Sequence, residues 1–343
     1  MSTIEAKLDD ILAHPLRAAW SCGGGAWGYV GLDIPTDLLG VPGRVSCHLP
    51  WKKHVSKLVA SRWLETSFPG WAFSIVEDWA EGRFNCFEYV VFSRGHDAAQ
   101  RLYYYICELQ RRGRVGGPQP LMFDIAKIPR ESSRRHTVAS LRKLMQELGV
   151  NPEQLSSGVQ RTNELRIAFS GLQRRRTGPG RLYEKLVRAS LFDDVSGLLA
   201  DWPSEKAQEG LGTVVLVGSA PPDDSLHTAV ERAGWTVVEE LYDRSMYRLG
   251  ASVDTGTADP VRSVALGWLD QPPHSIAPRL RDQKIDAAIL WSMREDESLA
   301  WRVPAQRAAL ETAGIPTLVL TARSWKIDDG AVEETQSFLR GLR

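Results

Sequence analysis

The chain has 343 residues, 43% of them apolar, enough for two domains of ordinary size with packed cores. Its 42 basic and 42 acidic side chains cancel, so no global field favours nucleic acid or an anionic membrane surface. Four cysteines, Cys22, Cys47, Cys86 and Cys107, form no C-x-x-C pair, which removes the zinc-ribbon and thioredoxin readings.

Residues 2–12 place Ile4, Leu8, Ile11 and Leu12 on one stripe and predict a short amphipathic helix. This start has no basic-then-apolar leader, and no apolar run approaches the roughly 20 residues of a membrane-spanning helix. A cytoplasmic protein with reduced thiols, and no membrane or nucleic-acid partner, is the expectation. The run Gly23-Gly24-Gly25-Ala26-Trp27-Gly28 satisfies G-x-G-x-x-G in letters. A dinucleotide fingerprint also needs a strand before it, a helix after it and an acid about 20 residues further on. Residues 16–20 make a poor strand and residues 45–48 hold no acid, so a tightly turning loop is expected. Asp33 is placed to cap a helix with Pro35 in its first turn.

Residues 73–81 predict a helix, 89–92 an apolar strand, 93–97 a polar loop and 98–111 a helix rich in aromatics. Residues 120–125 read as a strand and 132–148 as a helix stopped by Gly149. From Pro152 to about Trp202 the pattern is helical without a strand signal, broken at Arg174-Arg175-Arg176-Thr177-Gly178-Pro179-Gly180. That basic run is expected to be a solvated loop, with phosphate contact as the alternative. Strand and helix then alternate again. Residues 213–217, 236–238, 286–291 and 315–320 predict strands, and 225–233 and 304–313 predict helices.

Alternation on both sides of a strand-free segment predicts an α/β protein. Its parts are an N-terminal α/β domain (1–150), a helical connector (151–205) and a C-terminal α/β domain (206–343). Both domains are expected to be Rossmann-like or flavodoxin-like, with mainly parallel sheets. Functional side chains in such sheets gather at the carboxyl ends of the strands. His96 and Asp97 follow the strand at 89–92, and Asp296 follows the one at 286–291. An imidazole there would offer acid/base chemistry, while Asp97 also suits a helix N-cap. Tyr103, Tyr104 and Tyr105 cannot share one helix face, because successive residues turn by about 100°; one or two belong to the core. His48 and His54, with Trp51, Lys52 and Lys53 between them, form a basic aromatic patch whose lysines could meet the phosphates of coenzyme A. Neither a G-x-S-x-G elbow nor a Walker A lysine loop is present.

Several segments resemble, in order, the D-component family of 2-hydroxyacyl-CoA dehydratases and benzoyl-CoA reductases. Ile34-Pro35-Thr36-Asp37-Leu38-Leu39 resembles the family's Pro-x-Glu-Leu segment, and Glu81-Gly82-Arg83-Phe84 through Val91 its entry into a central strand. Asp97 to Tyr105, with Arg101-Leu102-Tyr103-Tyr104-Tyr105, resembles its Asp-x-x-Arg-x-Tyr-x-Tyr helix. Asn163-Glu164-Leu165-Arg166 resembles its Asn-x-x-Arg. Residues 214–219 and Gly314-Ile315-Pro316 are similar to its second-domain strands. The resemblance spans most of the chain from about Gly31 onward.

The resemblance implies a [4Fe-4S] cofactor held by three cysteines, because soft thiolates hold that iron and set its potential. In the family's register those positions fall at about Pro69, His96 and about Asp296. None is cysteine, so no cofactor and no metal are expected. The implied function is that of an auxiliary subunit beside a cluster-bearing homologous subunit, in a heterodimer or larger complex, with acyl-CoA as a candidate ligand. The alternatives are a redox-free lyase or hydrolase using His96, Asp97, a tyrosine or Asp296, and a dehydratase or reductase with an unusually ligated cluster.

Overall fold

The structure, a computed structural model, describes residues 3–54, 56, 59–204, 210–270 and 284–342. It contains two four-stranded sheets in which every pairing is parallel. The first holds β1 (Ala26–Val30), β2 (Ser46–His48), β3 (Phe87–Ser93) and β4 (Gln119–Phe123) in the order β2-β1-β3-β4. The second holds β5 (Thr213–Gly218), β6 (Thr236–Leu241), β7 (Ala287–Met293) and β8 (Thr317–Arg323) in the order β6-β5-β7-β8. Each sheet therefore has the same winding. The second strand lies on one side of the first and the third on the other, so each sheet has a switch point between its first and third strands. The expected pair of parallel α/β units is present; the boundary placed at 205–206 lies outside the described residues.

Among the described residues the helices are α1 (Thr3–Ala13), α2 (Arg17–Ser21), α3 (Thr36–Leu39), α4 (Gly70–Ala80), α5 (Asp97–Arg111), α6 (Glu131–Glu147), α7 (Pro152–Arg175), α8 (Gly180–Ala189), α9 (Ser225–Arg232), α10 (Pro260–Leu269), α11 (Glu297–Ala300), α12 (Val303–Thr312) and α13 (Ala331–Gly341). Local chemistry sets several ends. Gly149 adopts φ +67° just after α6, and Val150 N–H closes on Met145 O at 2.8 Å, as a left-handed helix stop requires. A reciprocal Asn151–Gln154 capping box, with Pro152 in the first turn, starts α7.

Apolar clusters cover both faces of the first sheet. On one face Tyr29, Val91 and Leu121 pack with Val138 and Leu141 of α6 and with Val261, Val264 and Trp268 of α10. Helix α10 lies between β6 and β7 in sequence, yet it packs on α6 and α7 and closes the core of the other sheet. The two units are interlocked by this crossover. On the second sheet Val214, Leu216, Ile289 and Trp291 pack with Leu226 and Val230 of α9 and Leu339 of α13.

One buried ion pair fastens the interlock. Arg166 of α7 donates to both carboxylate oxygens of Asp37 of α3, at 2.7 and 2.8 Å, with side-chain exposures of 3% and 0%. Trp268 Nε1–H of α10 donates to the same carboxylate at 2.8 Å. Arg166 Nε–H reaches Leu249 O, and Asn163 binds both the N–H and the carbonyl of Val253. Two of the segments quoted for the resemblance, Pro35 to Leu38 and Asn163 to Arg166, thus meet in one buried hydrogen-bonded network.

Two local expectations are corrected. Asp33 does not cap a helix: Pro35 precedes α3 and makes no side-chain cap bond, while Asp33 accepts from Lys127 Nζ at 2.6 Å and Ser93 Oγ at 3.4 Å. The basic run is solvated only in part. Arg174 and Arg175 are exposed, but Arg176 turns inward to Glu240 at 2.7 Å and stacks on Tyr183 at 4.1 Å. Its residue adopts the left-handed conformation, φ +43°, that ends α7 and redirects the side chain.

Candidate functional site

The carboxyl ends of both sheets open into one cavity of about 1230 Å³, somewhat above the usual size of small-molecule sites, roughly 300–1,000 Å³. The first sheet contributes residues 30–33 and 95–98, the two arms of its switch point. The second contributes residues 217–220 and 293–297, the same two arms in its own winding. Side chains from the two units tie its wall together. Trp51 Nε1–H donates to Pro222 O at 3.1 Å, and Lys53 Nζ reaches Asp223 at 2.9 Å and Ser225 at 3.1 Å. Six tryptophans, Trp51, Trp71, Trp268, Trp291, Trp301 and Trp325, line the cavity, so much of its wall is aromatic and apolar.

Pro69, His96 and Asp296 come from three distant segments and line this one cavity. Each immediately precedes a helix: Pro69 leads into α4, His96 into α5 and Asp296 into α11. The expectation that Asp97 caps α5 is corrected. His96 keeps an extended backbone and is the cap, its Nδ1 accepting from Ala99 N–H at 3.4 Å, and its ring meets Trp71 edge-on at 5.8 Å. Asp97 lines the cavity as the first helical residue, with its side chain 80% exposed and 3.7 Å from Arg101. Asp296 accepts from Ser219 Oγ at 3.1 Å, and Ser219 in turn accepts from Met293 N–H at 3.0 Å. That bond joins the first and third strands of the second sheet at their switch point.

These residues do not fit an iron–sulfur cluster. Proline has no side-chain donor, and one imidazole with one carboxylate lacks the thiolate set. No cysteine lines the cavity. Cys47 and Cys86 are buried in the first sheet's core, and burial raises both thiols, Cys86 to about 11, so neither is a ready thiolate. Among the described residues no group of three or more His, Cys, Asp and Glu could hold a metal ion.

The basic aromatic patch divides. Lys52 pairs with buried Asp78 and Lys53 with Asp223, so both lysines are already engaged in ion pairs. His54 is exposed, while His48 is buried on the cavity wall between Tyr29 and Trp51, edge-on to both at 5.1 and 5.5 Å. Its Nδ1 lies 2.8 Å from Leu49 O. A carbonyl only accepts, so Nδ1 carries the proton and Nε2 the lone pair. Burial pushes His48 down to about 3 against the opposing Leu49 bond, with Arg244, Arg248 and His96 adding to the drop. Of the tyrosines, Tyr103 packs against the core, Tyr104 is 57% exposed and Tyr105 donates to Glu65 at 2.7 Å.

Sequence reasoning missed Arg244 and Glu295. Arg244 lies just beyond the carboxyl end of β6, stacked on Trp51 at 4.5 Å. Its Nη2, with Glu295 Oε2 and Trp291 Nε1, is a buried polar atom on this cavity without a hydrogen-bond partner. The signal was available: the strand-end rule that selects His96 and Asp296 applies equally to residues 242–244 after β6.

Neither a protein-family model nor a curated protein matches the chain. The fold and cleft define a class: two interlocked, doubly wound parallel α/β units whose switch points share one ligand-sized cavity. Among the described residues no helix is long and apolar enough to cross a membrane.

Proposed function

We propose that the chain is a cluster-free relative of the subunits of 2-hydroxyacyl-CoA dehydratases and benzoyl-CoA reductases. In this reading it acts in the cytoplasm, in a heterodimer or larger complex, as the auxiliary partner of a cluster-bearing homologous subunit. The observation that carries it is the convergence of Pro69, His96 and Asp296 on one interunit cavity with no thiolate among them. Positions reached by counting along the family's register come from separate segments, yet they line one cavity and each stands before a helix. A scaffold keeps such a cavity after its ligands change, because the sheet cores set its walls. Loss of thiolates is tolerable where a second, related subunit does the chemistry. The four free cysteines suit a reducing compartment.

The test is co-purification under argon from the host with a tag on this chain. A homologous subunit with cysteines at the three aligned positions is expected in the eluate, and elution of the chain alone contradicts the proposal. The register has its own test. Cysteines introduced together at Pro69, His96 and Asp296 should take up iron and sulfide on reconstitution, while a protein that gains neither has the wrong register.

A second reading, a redox-free lyase or hydrolase working in the same cavity, draws on His48. Its unprotonated Nε2 sits on a wall shared with Arg244, an acceptor beside a cation. Activity of the chain without any partner, lost in His48→Gln or in Asp296→Ala, would favour it.

A further inference from the structure

Arg244 is a half-buried cation on the cavity wall that makes no hydrogen bond or ion pair among the described residues. Its guanidinium face is taken by Trp51, 4.5 Å from the ring centroid, so further partners must approach in the guanidinium plane. In that plane Nη2 is covered by protein and has no hydrogen-bond partner, so an acceptor from the cavity meets the other N–H groups. No carboxylate among the described residues lies within ion-pair distance of it; Glu184 and Asp243 act on it only from further away. Glu184 is itself held by Arg188 at 3.1 Å. A half-buried cation with no close counter-charge, on the wall of a cavity, calls for an acceptor from within that cavity.

The neighbours narrow what that acceptor is. His48 is neutral and aromatic, and Trp51 covers the guanidinium with an aromatic face. One free guanidinium edge beside apolar rings suits a single planar acceptor group with a hydrocarbon body. A phosphate, with more charge and more oxygens than a carboxylate, would leave oxygens facing aromatic rings. We propose that this cavity binds an organic monocarboxylate with an apolar body, its carboxylate paired with the accessible N–H groups of the Arg244 guanidinium and its body against Trp51. This assignment rests on the reading of the interunit cavity as the working pocket.

Titration calorimetry with benzoate, benzamide and inorganic phosphate as probes tests it on the full chain. Benzoate should bind one per chain and roughly tenfold or more tighter than benzamide, its neutral isostere. Arg244→Gln should abolish that preference, Arg244→Lys should restore part of it, and Arg112→Gln, beyond the far end of α5 from the cavity, should leave it intact. Circular dichroism confirms that each variant is folded. Benzoate and benzamide binding equally, with both blocked by Ala220→Phe, would overturn the carboxylate assignment and leave the pocket reading standing. Phosphate binding as tightly as benzoate would overturn it as well. No binding of any probe would overturn the assignment, while the auxiliary role would still be decided by co-purification.

Discussion

His48 ties the site to stability through its proton. Its folded value, about 3, lies below the ordinary 6.5 because burial disfavours the imidazolium. As pH falls below 6.5 the unfolded chain takes up this proton and the folded chain does not, so stability is full above about 6.5 and drains away towards about 3. Urea unfolding of wild type at pH 4 and pH 7 should therefore differ, and His48→Gln should shrink that difference by an amount on the order of 3 kcal/mol. Equal pH dependence in the two proteins would place His48 in water. Arg166 makes the opposite kind of contribution. It is fully bonded in the interior, and Arg166→Met strands the Asp37 carboxylate, so the expected cost is about 3–5 kcal/mol by denaturant midpoint. At this scale much was legible: strand-end logic led to His96, Asp97 and Asp296. The partners of Asp33 and Arg176 were not, because Lys127 and Glu240 are brought to them only by tertiary packing.

Elements with strong local signals were readable, and those defined by distant contacts were not. The strand at β3, the helices α5 and α6 and the Gly149 stop follow from apolar pattern and cap chemistry. Strands β1 and β2 are only five and three residues long, and β1 carries Gly28 within it, so neither shows a pattern of its own. Helix α10 escaped notice although Asp259 caps it and Pro260 begins it, because its apolar face serves a sheet far away in sequence. Cap geometry gives one prediction. The His96 contact to Ala99 N–H, 3.4 Å, is long for a hydrogen bond. Aspartate is a stronger cap and favours the positive end of the helix, so His96→Asp should stabilise the fold by about 0.5–1 kcal/mol in thermal unfolding. A loss of stability would mean that the imidazole does more than cap α5. Helix crossing gives another. A Cβ at Gly158 of α7 would stand 2.2 Å from Asp37 O of α3, and backbone cannot yield as a side-chain tip does. Gly158→Ala should cost roughly 1–3 kcal/mol or more, and a neutral result would mean that the two helices are not in close contact.

The whole molecule is two sheets that share a helix as well as a cavity. Val261, Val264 and Trp268 of α10 belong to the first sheet's core, and each such buried side chain contributes about 1.5–3 kcal/mol. Residues 1–204 produced alone should therefore lack a cooperative thermal transition and bind a hydrophobic dye; a cooperatively folded fragment would show the interlock to be dispensable. The interlock also fixes how the two switch points face each other, and so fixes the cavity that Pro69, His96, Asp296 and Arg244 line. The alternation of strand and helix made the two units legible in the sequence, but nothing local foretold that the second would complete the first. The most direct test of the auxiliary, cluster-free role is an iron and sulfide count, subunit by subunit, on the complex drawn down under argon by this chain. The account predicts that all the iron and sulfide travel with a partner whose cysteines align with Pro69, His96 and Asp296, and that this chain, once separated, is colourless. Iron and sulfide retained by this chain on its own would contradict it.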